Sequence, residues 1–354
     1  LLETDIPSGI SCIVINGPQI DYYEEELYKI DQFIMKGGNV MFLIDGLNTI
    51  GAAAYYNGTP QYVENKSNLD KLLNKYGVKR GYDFVMDKNC FVNTNPQYGK
   101  LNLHWAPVLQ KGQMPKKHPI TSNLGYVTML QNSSLDATEA KANEDLKVTV
   151  LAKSSEESWL EEKLDIVLNP MMIVPPQDTS LLKSYDLALL LEGNFESAYD
   201  KTPIFEDEDS EDLDQTSKSS ADNMIENAHL SSSKLPGKVF VIGTSYVTTY
   251  QVMDENGISP TSMFMMNVVD YLNGNEDLCT MRTKGLSVNV LDLKSPILAE
   301  LLKYFNQYGL AVIVAIMGLL VWRSRTKRKI RINKKYNPND ERTVSSKEEK
   351  KIEK

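Results

Sequence analysis

The sequence is poor in the residues that usually build metal sites and disulfide frameworks. Among its 354 residues there are three cysteines and three histidines. They are Cys12, Cys90 and Cys279, and His104, His118 and His229. The cysteines are too few and too scattered for a disulfide framework, and the histidines lack the spacing of a zinc site or of a Ser-His-Asp triad. The composition therefore predicts no metal and no other cofactor.

Motifs for nucleotide hydrolysis and for nucleophilic catalysis are also missing. No Gly-x-x-x-x-Gly-Lys-Ser/Thr phosphate loop occurs, so we do not expect the chain to hydrolyse ATP by itself. No Gly-x-Ser-x-Gly or Gly-x-Cys-x-Gly elbow follows a predicted strand, which argues against the usual nucleophile of hydrolases and class I amidotransferases. The sequence thus offers no catalytic residue, and we predict that the protein is not an enzyme.

Positive charge is scarce outside the C-terminal end. Residues 323–354 carry 13 Lys/Arg and 5 Asp/Glu, a net charge of +8, while the remaining residues carry 25 Lys/Arg and 42 Asp/Glu, a net charge of −17. An acidic body of this kind argues against nucleic acid as a partner. The basic end suits the anionic inner leaflet of a membrane.

Only one long run is both uncharged and mostly apolar. Residues 304–322 contain no charge, and 19 residues of helix span about 28 Å, close to the hydrocarbon thickness of a bilayer. Tyr308 and Trp322 lie near its ends, where aromatic rings favour the lipid interface, and a basic cluster follows. That cluster begins with Arg323, Arg325, Lys327 and Arg328.

The run predicts a single transmembrane helix in the lipid bilayer, and its alternative is a buried core helix. The basic cluster places the C-terminal tail in the cytoplasm and the bulk of the chain outside the plasma membrane. A body outside the membrane needs an export signal, and the sequence begins Leu1-Leu2-Glu3 without one, so we expect a further N-terminal segment.

The pattern before the apolar run predicts an α/β fold. Residues 10–15 read as a buried strand, residues 21–36 as a helix ended by Gly37-Gly38, and residues 39–44 as a second buried strand. Such a βαβ unit predicts a mostly parallel sheet flanked by helices. Further strands are expected at 82–87, 125–131, 146–152, 185–191, 238–242 and 287–291, and further helices at 67–76 and 262–272.

These expectations divide the chain into three parts. Residues 1–296 form one extracytoplasmic α/β domain, in which 205–235 is an acidic, disordered loop. Residues 297–322 form the juxtamembrane and transmembrane helix, and residues 323–354 form the basic cytoplasmic tail.

A few polar residues at strand ends are candidates for a ligand or partner contact. Gly243, Thr244 and Ser245 follow a predicted strand, where open α/β folds place ligands. A polar turn explains them equally well. Asp45 and Asp87 each end a predicted strand and could line a shared crevice, or they could be capping or surface carboxylates. The acidic run 206–214 lacks the spacing of a calcium loop, so we interpret it as a solvated loop.

Several segments in order along the chain resemble a known family. They are residues 13–18 (IVINGP), 26–38 (ELYKIDQFIMKGG), 187–193 (LALLLEG), 240–245 (FVIGTS) and 264–274 (FMMNVVDYLNG), followed by the apolar run and its basic tail. Together they are similar to the auxiliary extracytoplasmic components of ABC-type transport systems, which include gliding-motility-associated proteins called substrate-binding.

The resemblance implies a flavodoxin- or amidotransferase-like ectodomain without the amidotransferase nucleophile. It also implies two partners, a separate ABC ATPase subunit and a polytopic permease. The sequence departs from the family pattern in its longer acidic insertion at 206–234 and in the turn at Gly243, Thr244 and Ser245, which lacks an acid often found there.

The expected function is therefore a non-enzymatic, membrane-anchored auxiliary subunit of an ABC transporter. One alternative is a surface module that binds a solute or an envelope polymer outside any transporter. A second alternative is a hydrolase or amidotransferase with an unrecognised site.

Overall fold

The computed structural model describes residues 5–50, 61–203, 229–284 and 296–336. The chain divides into two compact units, Leu1–Asn289 and Val290–Lys354. The described helices are α1 (Glu24–Met35), α2 (Asp70–Lys75), α3 (Thr138–Ala142), α4 (Pro260–Leu272), α5 (Glu276–Thr283) and α6 (Pro296–Tyr336). The described strands are β1 (Cys12–Asn16), β2 (Asn39–Leu43), β3 (Leu47–Ile50), β4 (Gln61–Glu64), β5 (Lys79–Arg80), β6 (Phe84–Asp87), β7 (Cys90–Asn95), β8 (Gly99–Gln110), β9 (Tyr126–Thr128), β10 (Leu135–Asp136), β11 (Leu146–Lys153), β12 (Ser158–Glu161), β13 (Asp186–Gly193) and β14 (Gly237–Ile242).

A central sheet of seven strands organises the first unit. Its order is β1-β2-β14-β13-β10-β5, and β11 also pairs with β13. Only β1–β2 and β2–β14 are parallel, and the other pairings within this sheet are antiparallel. The α/β class is confirmed, but the sheet is mostly antiparallel and the prediction of a mostly parallel, flavodoxin-like sheet is wrong.

The physical reason lies in the connections and in the burial of the later strands. A parallel pair needs a crossover of a dozen or more residues, usually a helix, and α1 supplies one between β1 and β2. Between β11 and β13 the described elements are a strand and a 3-10 turn. Continuous apolar runs are typical of parallel strands, yet in β13 the five residues from Leu187 to Leu191 are buried in an antiparallel ladder covered on both faces.

Helix α1 forms where the sequence predicts it. Glu24, Glu25 and Glu26 lie at its positive end, and the Glu26 carboxylate accepts a hydrogen bond from the Tyr23 backbone N–H at 3.1 Å. The helix ends at Gly37, whose φ of +91° is a left-handed conformation that favours glycine. Its buried face therefore packs on the sheet between two well-defined ends.

Two apolar clusters cover the two faces of the central sheet. On the first, here the α1 face, residues of α1 and α2 pack on alternate residues of β2, β13 and β14. On the second, here the α4 face, α4 packs on the other alternate residues of the same strands. The N-terminus of α4 is fixed by Ser259, whose side chain accepts a hydrogen bond from the Ser262 N–H at 3.1 Å, and by Pro260 in the first turn.

A smaller β-structure lies beside the central sheet. β7 and β8 form an antiparallel hairpin, β9 pairs with the end of β8, and β6 pairs with β12. A third apolar cluster, which includes Phe84, Trp105 and Trp159, lies beneath these strands. The predicted strand at 82–87 therefore exists as β6, but it lies outside the central sheet. The hairpin was not predicted, since β7 alternates few apolar residues and is largely exposed.

Two sequence predictions fall on residues outside the described ranges. The acidic part of the predicted loop, residues 205–228, lies there, as does the predicted strand at 287–291. Residues 229–235, at the end of the predicted loop, are instead held against the body. The Gln32 side chain accepts a hydrogen bond from the Leu230 N–H at 2.8 Å, and the Lys234 N–H donates to the Met35 carbonyl at 2.9 Å.

Candidate functional site

The strand ends after β2 and β14 bring predicted site residues into direct contact. The two strands are parallel neighbours, with Leu43 opposite Ile242, so their carboxyl ends meet at one edge of the sheet. There the Ser245 N–H donates to Asp45 Oδ1 at 2.6 Å, and the Ser245 hydroxyl donates to Asp45 Oδ2 at 2.6 Å. Asp45 and Ser245 thus form a two-bond clamp, which closes the gap between the ends of the two strands.

This edge is the place where an open α/β fold would bind a ligand. The helices that follow β1 and β2 cover the α1 face, whereas the helix that follows β14 covers the α4 face. The change of face between β2 and β14 creates the crevice in which such folds hold ligands. In this protein the Asp45–Ser245 clamp fills that position, and both carboxylate oxygens have a donor within the chain.

The remaining residues of the turn are held as tightly. The Thr244 hydroxyl donates to the Leu130 carbonyl at 2.7 Å, and the Gly243 carbonyl accepts from the Ser133 N–H at 2.8 Å. A Cβ on Gly243 would lie 2.3 Å from the Ser133 carbonyl oxygen, and one on Gly17 would lie 3.0 Å from Ser245 Cβ. The turn is therefore packed between the end of β1 and residues 130–133, which leaves its backbone close to other protein atoms.

The electrostatics of Asp45 agree with a structural role. Asp45 is 6% exposed, and this burial raises the pKa of its carboxyl, although the hydrogen bonds from Ser245 and the nearby Arg80 guanidinium act in the opposite direction. Arg80 is itself buried: its Nη1 donates to the Asp45 carbonyl at 2.5 Å, and its Nη2 donates to Asp70 at 3.0 Å. Ser245 therefore engages the Asp45 carboxylate, and Arg80 engages the Asp45 backbone carbonyl.

Asp87 belongs to a strand of a different sheet from the strand that leads to Asp45. It ends β6, outside the central sheet, and accepts hydrogen bonds from the Ser155 N–H at 2.7 Å, the Ser155 hydroxyl at 2.6 Å and the Asn89 N–H at 2.8 Å. Burial raises the pKa of its carboxyl, while these hydrogen bonds lower it. Asp45 and Asp87 have no hydrogen-bond partner in common.

A third aspartate follows the same pattern, which sequence reasoning missed. Asp83 accepts from the Ser134 N–H at 2.8 Å and from the Ser134 hydroxyl at 2.6 Å. Asp45, Asp83 and Asp87 are thus each held by the N–H and the O–H of one serine that is 51 to 200 residues away in the chain. The sequence shows only an aspartate beside a predicted strand. It does not show which serine, at least 51 residues away, donates to that aspartate.

The cysteines and histidines are dispersed through the fold, except that Cys90 Sγ lies 3.7 Å from His104 Nδ1. Burial raises the pKa of each cysteine thiol to about 11, which disfavours the reactive thiolate. His104 Nδ1 lies 2.9 Å from the Asp87 carbonyl oxygen, whereas the Tyr28 hydroxyl lies 3.3 Å from His229 Nδ1. In the described ranges, no three His, Cys, Asp or Glu side chains come together in the manner of metal ligands.

A cavity of about 860 Å³ opens at the opposite edge of the central sheet. Asn39 at the start of β2, Lys238 near the start of β14 and the glycines that end α1 line it, together with residues 5–11. Lys238 is occupied there, because its Nζ donates to the Tyr271 carbonyl at 3.1 Å and lies 4.0 Å from the Tyr271 ring centroid. This is the amino edge of the parallel strands, which the sequence did not indicate as a site.

Helix α6 carries the residues predicted to anchor the chain in a membrane. Within the described part of the chain it is the one helix long and apolar enough to cross a bilayer. Its apolar side chains are not covered by protein: Leu310 is 77% exposed and Leu320 is 61% exposed. A core helix would be mostly buried, so the structure argues against that alternative. Tyr308 and Trp322 are also exposed, as are Arg323, Arg325, Lys327 and Arg328.

Comparison with known proteins identifies one matching family. A profile of the family described as ABC-type uncharacterized transport system, and designated as its auxiliary component, matches residues 2–274. None of the curated proteins is detectably similar in sequence. Three solved structures match, among them one described as the mmIFT52 N-terminal domain. It is 12% identical over 75% of this chain and 78% of that chain, with a TM-score of 0.38, a likeness too weak to support any statement about fold or function.

Proposed function

The chain belongs to the family of auxiliary components of ABC-type transport systems, and from this premise we propose that it is a membrane-anchored, non-enzymatic subunit of an ABC transporter. Its body lies outside the plasma membrane, and α6 crosses the bilayer once. Its partners are a separate ATPase subunit and a polytopic permease. The observation that carries the proposal is the exposed apolar surface of α6 in a chain whose family works in membrane transport.

The clamp at the carboxyl edge supports a non-enzymatic role. An α/β enzyme or binding protein uses the crevice between β2 and β14, and here Asp45 and Ser245 satisfy each other inside it. The family profile ends at residue 274, so α6 lies beyond the matched region. The proposal therefore assigns the body and α6 to one subunit, in which the body contacts the permease and α6 holds it at the membrane.

The orientation follows from charge. Residues 323–336 carry eight Lys/Arg and no acid, and such clusters remain on the cytoplasmic side of a membrane. The acidic body then lies on the opposite side, where it meets neither ATP nor nucleic acid.

The decisive experiment is purification of the full-length protein from its native membrane in mild detergent, with quantitative mass spectrometry of the proteins that accompany it. We expect an ABC ATPase and a multi-span permease at abundances comparable to that of the protein. Recovery of the protein alone, or only with envelope proteins, would contradict the proposal.

The cavity at the amino edge favours a second candidate function, a surface module that binds a solute or an envelope polymer. Its volume of about 860 Å³ falls in the range of small-molecule sites. Two general features of ligand sites count against this second candidate. Small-molecule sites are mostly apolar, and open α/β folds bind their ligands at the carboxyl edge rather than the amino edge. A screen of solutes and envelope glycans by thermal shift, with Asn39→Ala as the cavity variant, would detect the binding that this candidate requires.

A further inference from the structure

The helix α6 continues well past its uncharged segment. Residues 323–336, here called the basic extension, remain helical as far as Tyr336. The extension holds eight Lys/Arg and no Asp or Glu. A transmembrane helix needs only a few cations to fix its orientation, so the length and charge of this extension call for a separate explanation.

The cations of the basic extension are not distributed evenly around the helix. At about 100° per residue, six of the eight fall within an arc of about 140°. This basic face consists of Arg323, Lys327, Arg328, Arg331, Lys334 and Lys335. Arg325 and Lys329 lie outside the arc, on the side that also holds Thr326, whose hydroxyl donates to the Trp322 carbonyl at 2.9 Å. A one-sided arrangement indicates a partner that approaches from one direction.

No described part of this chain neutralises the basic face. Its six side chains are exposed, and none forms an ion pair with another described residue. The rest of the tail, residues 337–354, carries five Lys/Arg and five Asp/Glu, so its net charge is zero and it has no excess of negative charge. The partner of the basic face is therefore expected outside this chain.

The distance of each cation from the membrane indicates whether its partner is lipid or protein. At about 1.5 Å per residue, Arg331, Lys334 and Lys335 lie about 14, 18 and 20 Å beyond Trp322 along the helix axis. The headgroup layer adds about 5–8 Å to the hydrocarbon core on each side, and charges are screened over about 8 Å at physiological salt. Headgroup phosphates can therefore engage Arg323 to Arg328, and Arg331 lies at the limit of their range, whereas Lys334 and Lys335 lie beyond it.

We infer that the basic face of α6 docks on an acidic surface of the cytoplasmic ATPase subunit. The inference rests on the proposed function, since it needs the basic extension in the cytoplasm beside such a subunit. Arg331 offers a planar guanidinium for bidentate contact with carboxylates, and Lys334 and Lys335 add point charges one turn further from the membrane. The same helix would then connect the body to the ATPase without any contact of the body with nucleotide.

Two double variants of the full-length protein test the inference. Arg331→Gln with Lys334→Gln removes two charges from the basic face, and Arg325→Gln with Lys329→Gln removes two charges from the other side of the same helix. After mild-detergent purification at fixed salt, we expect recovery of the ATPase subunit to fall about tenfold or more in the first variant and less than about twofold in the second. Alkaline extraction of membranes shows whether both variants remain integrated.

Cross-linking supplies an independent measurement. A zero-length carbodiimide joins lysine to carboxylate, so native membranes should yield peptides in which Lys334 or Lys335 is linked to an Asp or Glu of the ATPase subunit. Nanodiscs with and without anionic lipid, loaded with the purified protein, provide the lipid comparison. Both variants should retain their preference for the anionic discs, since Arg323, Lys327 and Arg328 are unchanged.

The outcomes distinguish the inference from the function on which it rests. If both variants recover the ATPase subunit equally, or both lose it equally, the basic face is not a docking surface. Any loss would then reflect a non-specific attraction to the positive charge of the helix. Failure of the wild-type protein to bring any ATPase subunit would instead contradict the proposed function itself. Loss of the preference for anionic discs in the first variant alone would assign the outer basic face to lipid and overturn the inference.

Discussion

At the scale of single residues, buried aspartates tie distant segments of this protein together. Asp45, Asp83 and Asp87 each accept the N–H and the O–H of one serine, and the partners come from three different connections. Burial raises the pKa of all three carboxyls, which means that ionisation costs more in the folded state than in the unfolded state. The contribution of these aspartates to the free energy of unfolding should therefore depend measurably on pH.

For the Asp45–Ser245 clamp we predict that substitution of the serine destabilises the fold more than substitution of the aspartate. Ser245→Ala removes one donor from a buried carboxylate and should lower the free energy of unfolding by about 1–3 kcal/mol. Asp45→Asn keeps an acceptor for the Ser245 N–H and removes the buried charge, so at neutral pH it should be tolerated far better. Denaturant unfolding of the full-length protein in detergent measures both. A ligand-binding role for Asp45 would be indicated if Asp45→Asn abolished function while stability was unchanged.

The pH dependence of Asp45→Asn has a defined sign. Because the folded pKa of Asp45 is raised, the wild-type protein loses stability as pH rises from about 4, the ordinary aspartate pKa, through the folded pKa. The variant lacks this loss, so its stability relative to wild type should increase over that interval and then stay constant. Asp136→Asn is the control of opposite sign, since hydrogen bonds from Thr138 lower the Asp136 pKa. A difference that does not change with pH would contradict this account.

Arg80 is expected to be the most sensitive residue near the clamp. Its side chain is 1% exposed, and its guanidinium donates to the carbonyls of Asp45 and Asn65, each at 2.5 Å, as well as to Asp70. Arg80→Met leaves these acceptors buried and unpaired and should cost about 3–5 kcal/mol in denaturant unfolding. The neighbouring Lys79→Met removes an exposed ion pair and should barely shift the unfolding midpoint. Similar midpoints for the two variants would disprove the structural role of Arg80.

At the scale of elements, the sequence predicted helices and strands better than their pairing. The ends of α1, β2, β13 and β14 fall within three residues of the predictions, because capping residues and apolar runs are local signals. Strand direction is not local: the run in β13 is buried on both faces, as in a parallel sheet, yet its neighbours are antiparallel. The β7–β8 hairpin was missed because β7 is largely exposed and alternates few apolar residues.

The candidate site shows the same limit. The sequence placed Asp45 and Ser245 at strand ends, which the structure confirms, but it could not show that they bond to each other 200 residues apart. Asp87 was a candidate for the same crevice, with a capping or surface role as the alternative, and its strand β6 lies outside the central sheet. Residues that meet through tertiary pairing cannot be matched until the strand order is known.

For α6 we predict that one charge in the apolar run disturbs membrane insertion. Val314 lies near the middle of residues 304–322 and is 59% exposed, so Val314→Arg would face hydrocarbon and should cost about 2.5–3.5 kcal/mol of insertion free energy. The fraction of protein that resists alkaline extraction should fall, whereas Val314→Leu should behave as wild type. Complete retention of Val314→Arg would show that this side of the helix meets protein or water rather than lipid.

At the scale of the whole molecule, the two ends of the chain are predicted to lie on opposite sides of a membrane. Cys90 and Cys279 are buried, so Cys12→Ser gives a background with little reactive thiol. In that background Ser180→Cys, on an exposed turn of the body, should react with a membrane-impermeant maleimide in intact cells. Ser346→Cys in the tail should react only after permeabilisation. The reverse pattern would invert the orientation, and labelling of both in intact cells would exclude a single crossing.

The uninterrupted length of α6 has a mechanical consequence. Its 41 residues make a rod of about 62 Å, longer than the 40–45 Å of a bilayer with its headgroups. Under the proposed single crossing this rod extends beyond both leaflets. We therefore expect a twist or a piston movement applied at one end to reach the other end.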